Sequence, residues 1–329
     1  MTKIIAEIGV NHNGKLANAI KLVRLAKLAG VDFVKFQIFN TDYLVTNYAK
    51  KSKYQIKNKK DKTNQFNMLN NLELTKKEHI KIYNYCKKLN INYCASPFDL
   101  DSLNFLLSLK TKIIKIGSGE ITNKPLLENL SKYKGLIILS TGMSTLKEVE
   151  NAVNIFKKNK NKYQLLYCCS SYPALSKDID MNVMLLLRKK FKCKVGFSDH
   201  TLGNEAAIVS TILGSTFVEK HFTLNKNSVG PDHAASFDFK DMKKLVKELK
   251  TYKSLLKSGR KIITISEKEN RINSRKSLVA SGYIRKGERF TKKNITAKRP
   301  GDGISPFEID KILKLKAKKN FLHDEKIKI

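Results

Sequence analysis

The sequence predicts an α/β fold, a TIM (β/α)8 barrel followed by a small second domain, on three observations. Short β-branched runs alternate with longer stretches of helical period, eight of each, through roughly the first 260 residues. No GxGxxG turn follows the first strand, which counts against an open doubly wound sheet, the main competing α/β architecture. After residue 257 the alternation stops. A chain of 329 residues, 41% hydrophobic and 28% charged, has the material for a barrel of roughly 250 residues and an appendage.

Taken in order, the strands are expected at 3–9, 31–37, 91–96, 112–117, 135–140, 164–169, 194–199 and 215–221. The helices that follow them are expected at 15–29, 75–89, 99–109, 124–133, 145–158, 180–191, 203–213 and 239–257. One long interruption, 38–74, separates the second strand from its helix and is polar around Tyr54-Gln55-Ile56-Lys57-Asn58. A loop of that length in a compact domain is usually functional or mobile. The barrel domain is therefore placed at 1–257 and a charged linker at 258–273. The second domain, 274–329, carries short strands at 277–280 and 294–298, a Pro-Gly turn at 300–301 and a short helix near 306–315.

The 64 basic and 29 acidic residues give a formal charge of +35, which by itself points to a polyanionic partner. Only eight of the basic residues are Arg, however, and base and phosphate readout leans on the forked guanidinium. The lysines run through every segment on the polar sides of helices such as 145–158 and 239–257. This is the pattern of a solvated coat and argues against a specific nucleic-acid partner. No run of about 18 apolar residues is present, so no membrane span is expected. The start Met1-Thr2-Lys3 leads straight into strand-like sequence with no signal peptide, and a cytoplasmic location is expected. Five cysteines (86, 94, 168, 169, 193) lack CxxC spacing and read as buried free thiols.

In a parallel barrel the carboxyl ends of the strands converge on one mouth. There the chain places Glu7, Lys35 with Gln37, Ser96, Lys115 with Ser118 and Glu120, Ser140 with Thr141, Ser170, Ser198 with Asp199 and His200, and Glu219 with His221. His200 and His221 close adjacent strands, and two neutral imidazoles with open positions suit a divalent metal such as Mn2+; hydrogen-bonded structural histidines are the alternative. Two converging lysines, several hydroxyls and a cation form a pocket for a phosphorylated, carboxylated anion. Glu7, Glu120, Glu219 and Asp232 are the candidate acids, bases or hydroxyl acceptors. His12 and His233 lie in loops on the same face, whereas His79 and His323 read as surface residues.

Several segments then have a familiar form: Ile5-Ala6-Glu7-Ile8-Gly9-Val10-Asn11-His12-Asn13-Gly14, Val34-Lys35-Phe36-Gln37, Ala95-Ser96-Pro97-Phe98, Lys115-Ile116-Gly117-Ser118-Gly119-Glu120, Leu139-Ser140-Thr141-Gly142-Met143, Gly196-Phe197-Ser198-Asp199-His200-Thr201, Glu219-Lys220-His221-Phe222-Thr223 and Gly230-Pro231-Asp232-His233. In this order they resemble the sialic acid synthase family, which includes legionaminic acid synthases. Lys298-Arg299-Pro300-Gly301-Asp302-Gly303-Ile304 is similar to that family's carboxyl-terminal SAF (antifreeze-like, β-clip) domain.

The resemblance implies an enzyme that condenses phosphoenolpyruvate with an open-chain N-acetylated amino sugar, giving a nine-carbon 2-keto acid and phosphate. It implies Mn2+ or Mg2+ on His200 and His221, phosphoenolpyruvate on Lys35, Ser96, Lys115, Ser118, Ser140, Ser170 and Ser198, and the sugar beside Gln37, Glu120, Tyr172 and Asp232. Glu7 and Glu219 are left for proton transfer and water activation, with Glu219 preferred because it precedes a metal ligand by two residues on one strand face. It also implies a domain-swapped homodimer in which Arg299 of one chain completes the site of the other. Ser96 stands where many members have Thr, and Ser170 where some have Asn. N-acetylmannosamine is the sugar expected first. A diacetamido trideoxy hexose, giving legionaminic acid, is the nearest alternative, and the Asn11–Gly14 and Gly230–His233 motifs disfavour pseudaminic acid. A lysine-rich anion or nucleic-acid binding protein on an inactive barrel is the rival of another class. It is disfavoured because both lysines, both histidines and the four carboxylates occur together. A separate carbohydrate- or ice-binding role for the second domain is disfavoured by its small core.

Overall fold

The computed structural model of the chain describes residues 2–52, 55, 64–257 and 259–329. Two compact units divide at Leu256/Lys257. In the first, β1 (Lys3–Gly9), β2 (Phe33–Ile38), β3 (Asn92–Pro97), β4 (Ile113–Ile116), β5 (Leu136–Ser140), β6 (Lys162–Cys168), β7 (Val195–Asp199) and β8 (Phe217–His221) close in sequence order. Every strand pairs in parallel with its neighbours, and β1 pairs with β8.

Strand side chains alternate between two environments, as the two-residue period requires. One set, including Ile4, Ala6, Ile8, Val34, Phe36, Ile114, Ile116, Leu139, Phe197 and Val218, packs outward into the helical ring. The other set points into the barrel. Its lower part is an apolar plug of Ile5, Cys94, Ile113, Ile138, Leu166 and Phe217 with Phe33 and Leu136. One pleat further along the same strands come Glu7, Lys35, Lys115, Ser140, Cys168 and Glu219. The plug keeps water out from below, so the polar layer is open only toward the carboxyl ends.

The helices form where the alternation broadens to a helical period. Those at Lys76–Lys88, Leu146–Lys158 and Phe239–Leu255 begin with capping boxes in which Thr75, Thr145 and Asp238 trade hydrogen bonds with Glu78, Glu148 and Asp241. The long loop after β2 is partly helical, with short turns at Thr41–Leu44 and Gln65–Asn70. Met68 and Leu72 pack there with Val10 and Phe39 in a small apolar cluster. Of the polar stretch 54–58, residues 54 and 56–58 lie outside the described residues.

The second unit has its own core of Leu278, Ala280, Ile284, Phe290, Ile295, Ile312, Ala317, Phe321 and Ile327. Its β9 (Ser277–Ala280) and β10 (Ile295–Lys298) pair antiparallel. The stretch read as a linker contains a helix, Ile265–Ser274, entered by a Thr264–Glu267 capping box and exposed along its length. Its high charge reflects solvation on all sides, which sequence cannot distinguish from an unstructured link.

His79 corrects the surface assignment. It is 1% exposed, meets the Phe36 ring edge-on at 6.2 Å and has its Nδ1 3.3 Å from the Tyr93 hydroxyl. Burial, then the neighbouring His12, holds its pKa down at about 3. The unfolded chain takes up this proton below its ordinary pKa of about 6.5, whereas the fold does not, so stability is lost as pH falls. Between pH 7.5 and 4.5 this residue should cost roughly 2–3 kcal/mol. Urea unfolding of His79→Leu should show a correspondingly flatter decline than the parent over that range; identical declines would contradict a buried neutral imidazole.

Candidate active site

The layer above the apolar plug is a charge cluster. β1 and β2 set Glu7 beside Lys35, and β1 and β8 set Glu7 beside His221 in register. Lys35 Nζ lies 3.0 Å from Glu7 Oε1 and 3.4 Å from Glu219 Oε2, and it donates to Ser96 Oγ at 3.4 Å. Lys115 Nζ lies 3.3 Å from Glu219 Oε1, to which the Ser198 hydroxyl also donates at 2.9 Å. Gln37 donates to Glu7 Oε1 at 3.3 Å. The side chains of both glutamates and both lysines are at most 8% exposed.

Burial disfavours each of these charges, and their mutual attraction decides the outcome. At Glu219 burial pushes the carboxyl pKa up, but the Lys115 and Lys35 ammonium groups and the Ser198 hydroxyl outweigh it and hold it down at about 2. At Glu7 burial, aided by the negative Glu219, prevails over Lys35, and the carboxyl is raised. Lys35 is raised because Glu219 and Glu7 together overcome its burial. The cluster thus favours the anion at Glu219 and leaves Glu7 the easier of the two carboxyls to protonate.

The rim is built from β5 to β8. His200 Nδ1 donates to the Cys169 carbonyl at 2.8 Å, and its ring centroid lies 5.3 Å from that of His221 and 4.2 Å from that of Tyr172. Burial, His200 and Lys35 push His221 well below its ordinary range, so this imidazole is neutral. Asp232 Oδ2 is 3.8 Å from its Nδ1, and burial followed by the nearby Glu7 raises Asp232 to about 6. Ser118 Oγ accepts from Gly142 N at 3.1 Å. A Cβ at Gly142 would stand 2.1 Å from Ser170 Oγ and 2.8 Å from Ser118 Oγ, so glycine is what lets the three strand-end loops meet.

Together these groups line a cavity of about 400 Å³ that includes Glu7, Lys35, Gln37, Ser96, Lys115, Ser118, Ser170, Tyr172, Ser198, His200, Glu219 and His221. Ser140 is fully buried at the end of β5, with its hydroxyl unpaired among the described residues. Glu120 is half-buried, accepts from Asn123 Nδ2 at 2.7 Å and is raised by burial. Arg299 belongs to the second unit, where it is exposed directly after β10. Buried Glu7 Oε2 and His221 Nδ1 are likewise unpaired among the described residues. Natural proteins rarely leave such atoms unsatisfied without a ligand or water to take them.

Three features differ from the sequence reading or escaped it. Asp199 alternates away from the mouth: its carboxylate binds Lys220 Nζ at 2.9 Å behind β7 and β8, with both side chains fully buried. Lys220 also donates to the carbonyls of Thr201 at 2.5 Å and Gly203 at 3.0 Å, fastening the loop that follows His200. Cys168 lines the cavity, 3.8 Å from His200 Nδ1 and 3.6 Å from Ser170 Oγ. Its inward position follows from the alternation that places Leu166 in the plug. His12 and His233 are structural: His12 Nδ1 accepts from Gly14 N, and His233 joins Thr223 Oγ1 at 2.6 Å to Asn13 Oδ1 at 2.9 Å.

Residues 22–261 match the NeuB family model and residues 275–328 the SAF domain model. The chain is 43% identical over 330 aligned positions, 99% of each chain, to an N,N'-diacetyllegionaminic acid synthase of Campylobacter jejuni. An enzyme of the same name from Legionella pneumophila is 40% identical over 94% of this chain and 88% of its own. Among solved structures, an N-acetylneuraminic acid synthetase from Leptospira borgpetersenii superposes with a TM-score of 0.72 at 32% identity, covering 82% of this chain and 90% of that one.

Lys220→Met should destabilise the fold by about 3–5 kcal/mol, because it strands the Asp199 carboxylate without its cation. Adding Asp199→Asn should recover much of that loss. Urea unfolding of the two variants reads the difference, and a neutral single substitution would contradict a buried ion pair.

Proposed function

The chain belongs to the NeuB family, and on that premise we propose that it condenses phosphoenolpyruvate with a diacetamido trideoxy hexose to give a legionaminic-type nine-carbon 2-keto acid and phosphate. The observation that carries this reading is the buried layer of two ammonium groups and two carboxylates beneath a pair of imidazoles. Such a layer can exchange its internal ion pairs for those of an incoming phosphorylated carboxylate. The preference for the diacetamido sugar over N-acetylmannosamine rests on two relatives at 43% and 40% identity that are both named N,N'-diacetyllegionaminic acid synthase.

In this reading Lys35 and Lys115 bind the anionic ends of phosphoenolpyruvate, aided by hydroxyls of Ser96, Ser118, Ser140, Ser170 and Ser198. Gln37, Glu120, Tyr172 and Asp232 orient the sugar. C3 of phosphoenolpyruvate attacks the sugar aldehyde carbon, whose oxygen becomes an alkoxide and is neutralised by the proton that Glu7 then takes from water. Water then adds at the cationic C2, and phosphate departs by C–O cleavage as the ketone forms. Glu7 takes the water's proton. Its raised carboxyl suits that task, whereas Glu219 is stabilised too strongly as an anion and holds the lysines in place. This reverses the order of preference drawn from strand spacing.

The family resemblance implies Mn2+ or Mg2+ at His200 and His221. The residues fit: with Nδ1 donating to the Cys169 carbonyl, His200 in its neutral form presents its lone pair at Nε2, and His221 keeps a buried Nδ1 with no hydrogen-bond partner among the described residues. Among the described residues no cluster of three or more His, Cys, Asp and Glu side chains is arranged to hold an ion. A metal held by two imidazoles would leave positions for substrate oxygens, and when bound it would supply Lewis-acid polarisation of the sugar carbonyl.

With phosphoenolpyruvate and Mn2+, the purified protein should release phosphate about tenfold or more faster, in kcat/KM, with the diacetamido sugar than with N-acetylmannosamine. The reverse order would favour a neuraminate synthase, and phosphate release with neither would overturn the proposal. A domain-swapped homodimer completed by Arg299 is part of the same proposal. Mixing Arg299→Ala and His221→Ala chains, each nearly inactive, should restore activity through mixed dimers. No recovery despite subunit exchange would place Arg299 with its own barrel or outside the site.

A further inference from the structure

A second cavity, of about 290 Å³, adjoins the catalytic one and is lined in part by Met68, Leu72, Val229 and Pro231, with Asn71 and Gln55 among the polar residues. The two share a wall: Ser52, which lines the catalytic cavity, donates its backbone N–H to Gln55 Oε1 at 2.9 Å. They also share an apolar partition, since Met68 and Leu72 belong to the cluster on which Phe98 of the catalytic cavity packs. On the other side the chain runs from Gly230 and Pro231 in the second cavity to Asp232 beside His221.

The chemistry of the two cavities is opposite. The first is dense with charge. Among the described residues, the second has no ionisable side chain in its lining. Its shape is held by Gly230, at φ +155°, where a Cβ would meet His233 at 2.6 Å and Asn13 Oδ1 at 3.0 Å. Asn13 further donates to the Val229 carbonyl at 3.0 Å.

We propose that this cavity is the specificity pocket for the distal end of the sugar, taking the second acetamido group and the adjacent C6 methyl. The proposal rests on the reading that the substrate is a diacetamido trideoxy hexose, and it adds where that sugar is told apart from a hydroxylated one. A methyl and the acetyl CH3 fit against Met68, Leu72, Val229 and Pro231, and an amide has amide-bearing neighbours. Hydroxyls at the positions of the two methyl groups would face thioether and alkyl carbon and lose their hydrogen bonds to water.

The test uses the full-length protein, the diacetamido sugar and its analogue with a hydroxyl replacing the distal acetamido group. Val229 is 46% exposed, so Val229→Trp fills the pocket from its rim with little risk to the fold. It should lower kcat/KM for the diacetamido sugar about tenfold or more, leave the hydroxyl analogue within about threefold, and leave the KM for phosphoenolpyruvate unchanged. Equal loss with both sugars, or no loss, would overturn the assignment. Leu72→Ala supplies a gain of function: an analogue with a butanoyl group at the distal nitrogen should improve about fivefold or more relative to the acetyl parent. An unchanged ratio would also overturn it. If the unsubstituted protein turned over neither sugar, the reading beneath the proposal would fail, and the proposal with it.

Discussion

The fold is organised around four ionisable side chains that share one buried layer of the barrel. Removing a carboxylate or an ammonium group from water costs several kcal/mol, and only close opposite charge and hydrogen bonds offset it. Lys35 meets that demand with two carboxylates at once, Glu219 with two ammonium groups and a hydroxyl. Two basic groups face two acidic ones, with Glu7, raised by burial, the easier carboxyl to neutralise, so the layer is close to balanced internally. In the proposed function an anion entering from above competes with Glu7 and Glu219 for cations already desolvated. It therefore meets donors whose ordering cost was met during folding.

The two-residue period of the strands extends this economy to the outer face. Glu219 and His221 point inward to the cavity while Lys220, between them, points outward to Asp199, so consecutive residues line the cavity and hold the scaffold. Lys220 ties the loop after β7 through Thr201 and Gly203, and its Nζ lies 4.3 Å from the centroid of the Phe237 ring. The rim around His200 is thus positioned from behind the sheet, where substitution would not disturb the cavity's chemistry directly but would disturb its geometry.

Much of this was legible before any coordinates. Strand positions and the polar strand ends follow from the alternation of β-branched and helical segments, and their convergence follows from barrel geometry. What sequence did not reveal is pairing between strands. Spacing on β8 alone does not show that the lysines beside Glu219 come from β2 and β4. His79 looked solvated because its helix is rich in Lys, but it lies on the face shared with Ile82 and Cys86. Asp199 was assigned to the mouth by proximity to His200, which ignores that neighbours on a strand face opposite ways. The helix within the linker was missed because a solvated helix has no apolar stripe to mark it.

In the proposed function Lys35 and Lys115 are desolvated cations set for an anionic substrate. Direct titration calorimetry of phosphoenolpyruvate binding, without sugar and at fixed ionic strength, tests it on the parent, Lys35→Met and Lys115→Met. Each substitution should weaken binding by about 2–5 kcal/mol, roughly thirtyfold or more, with native unfolding behaviour in at least one of them. Unchanged affinity in a folded Lys115→Met protein would contradict the account, because the charge layer would then be a structural device with no part in substrate recognition.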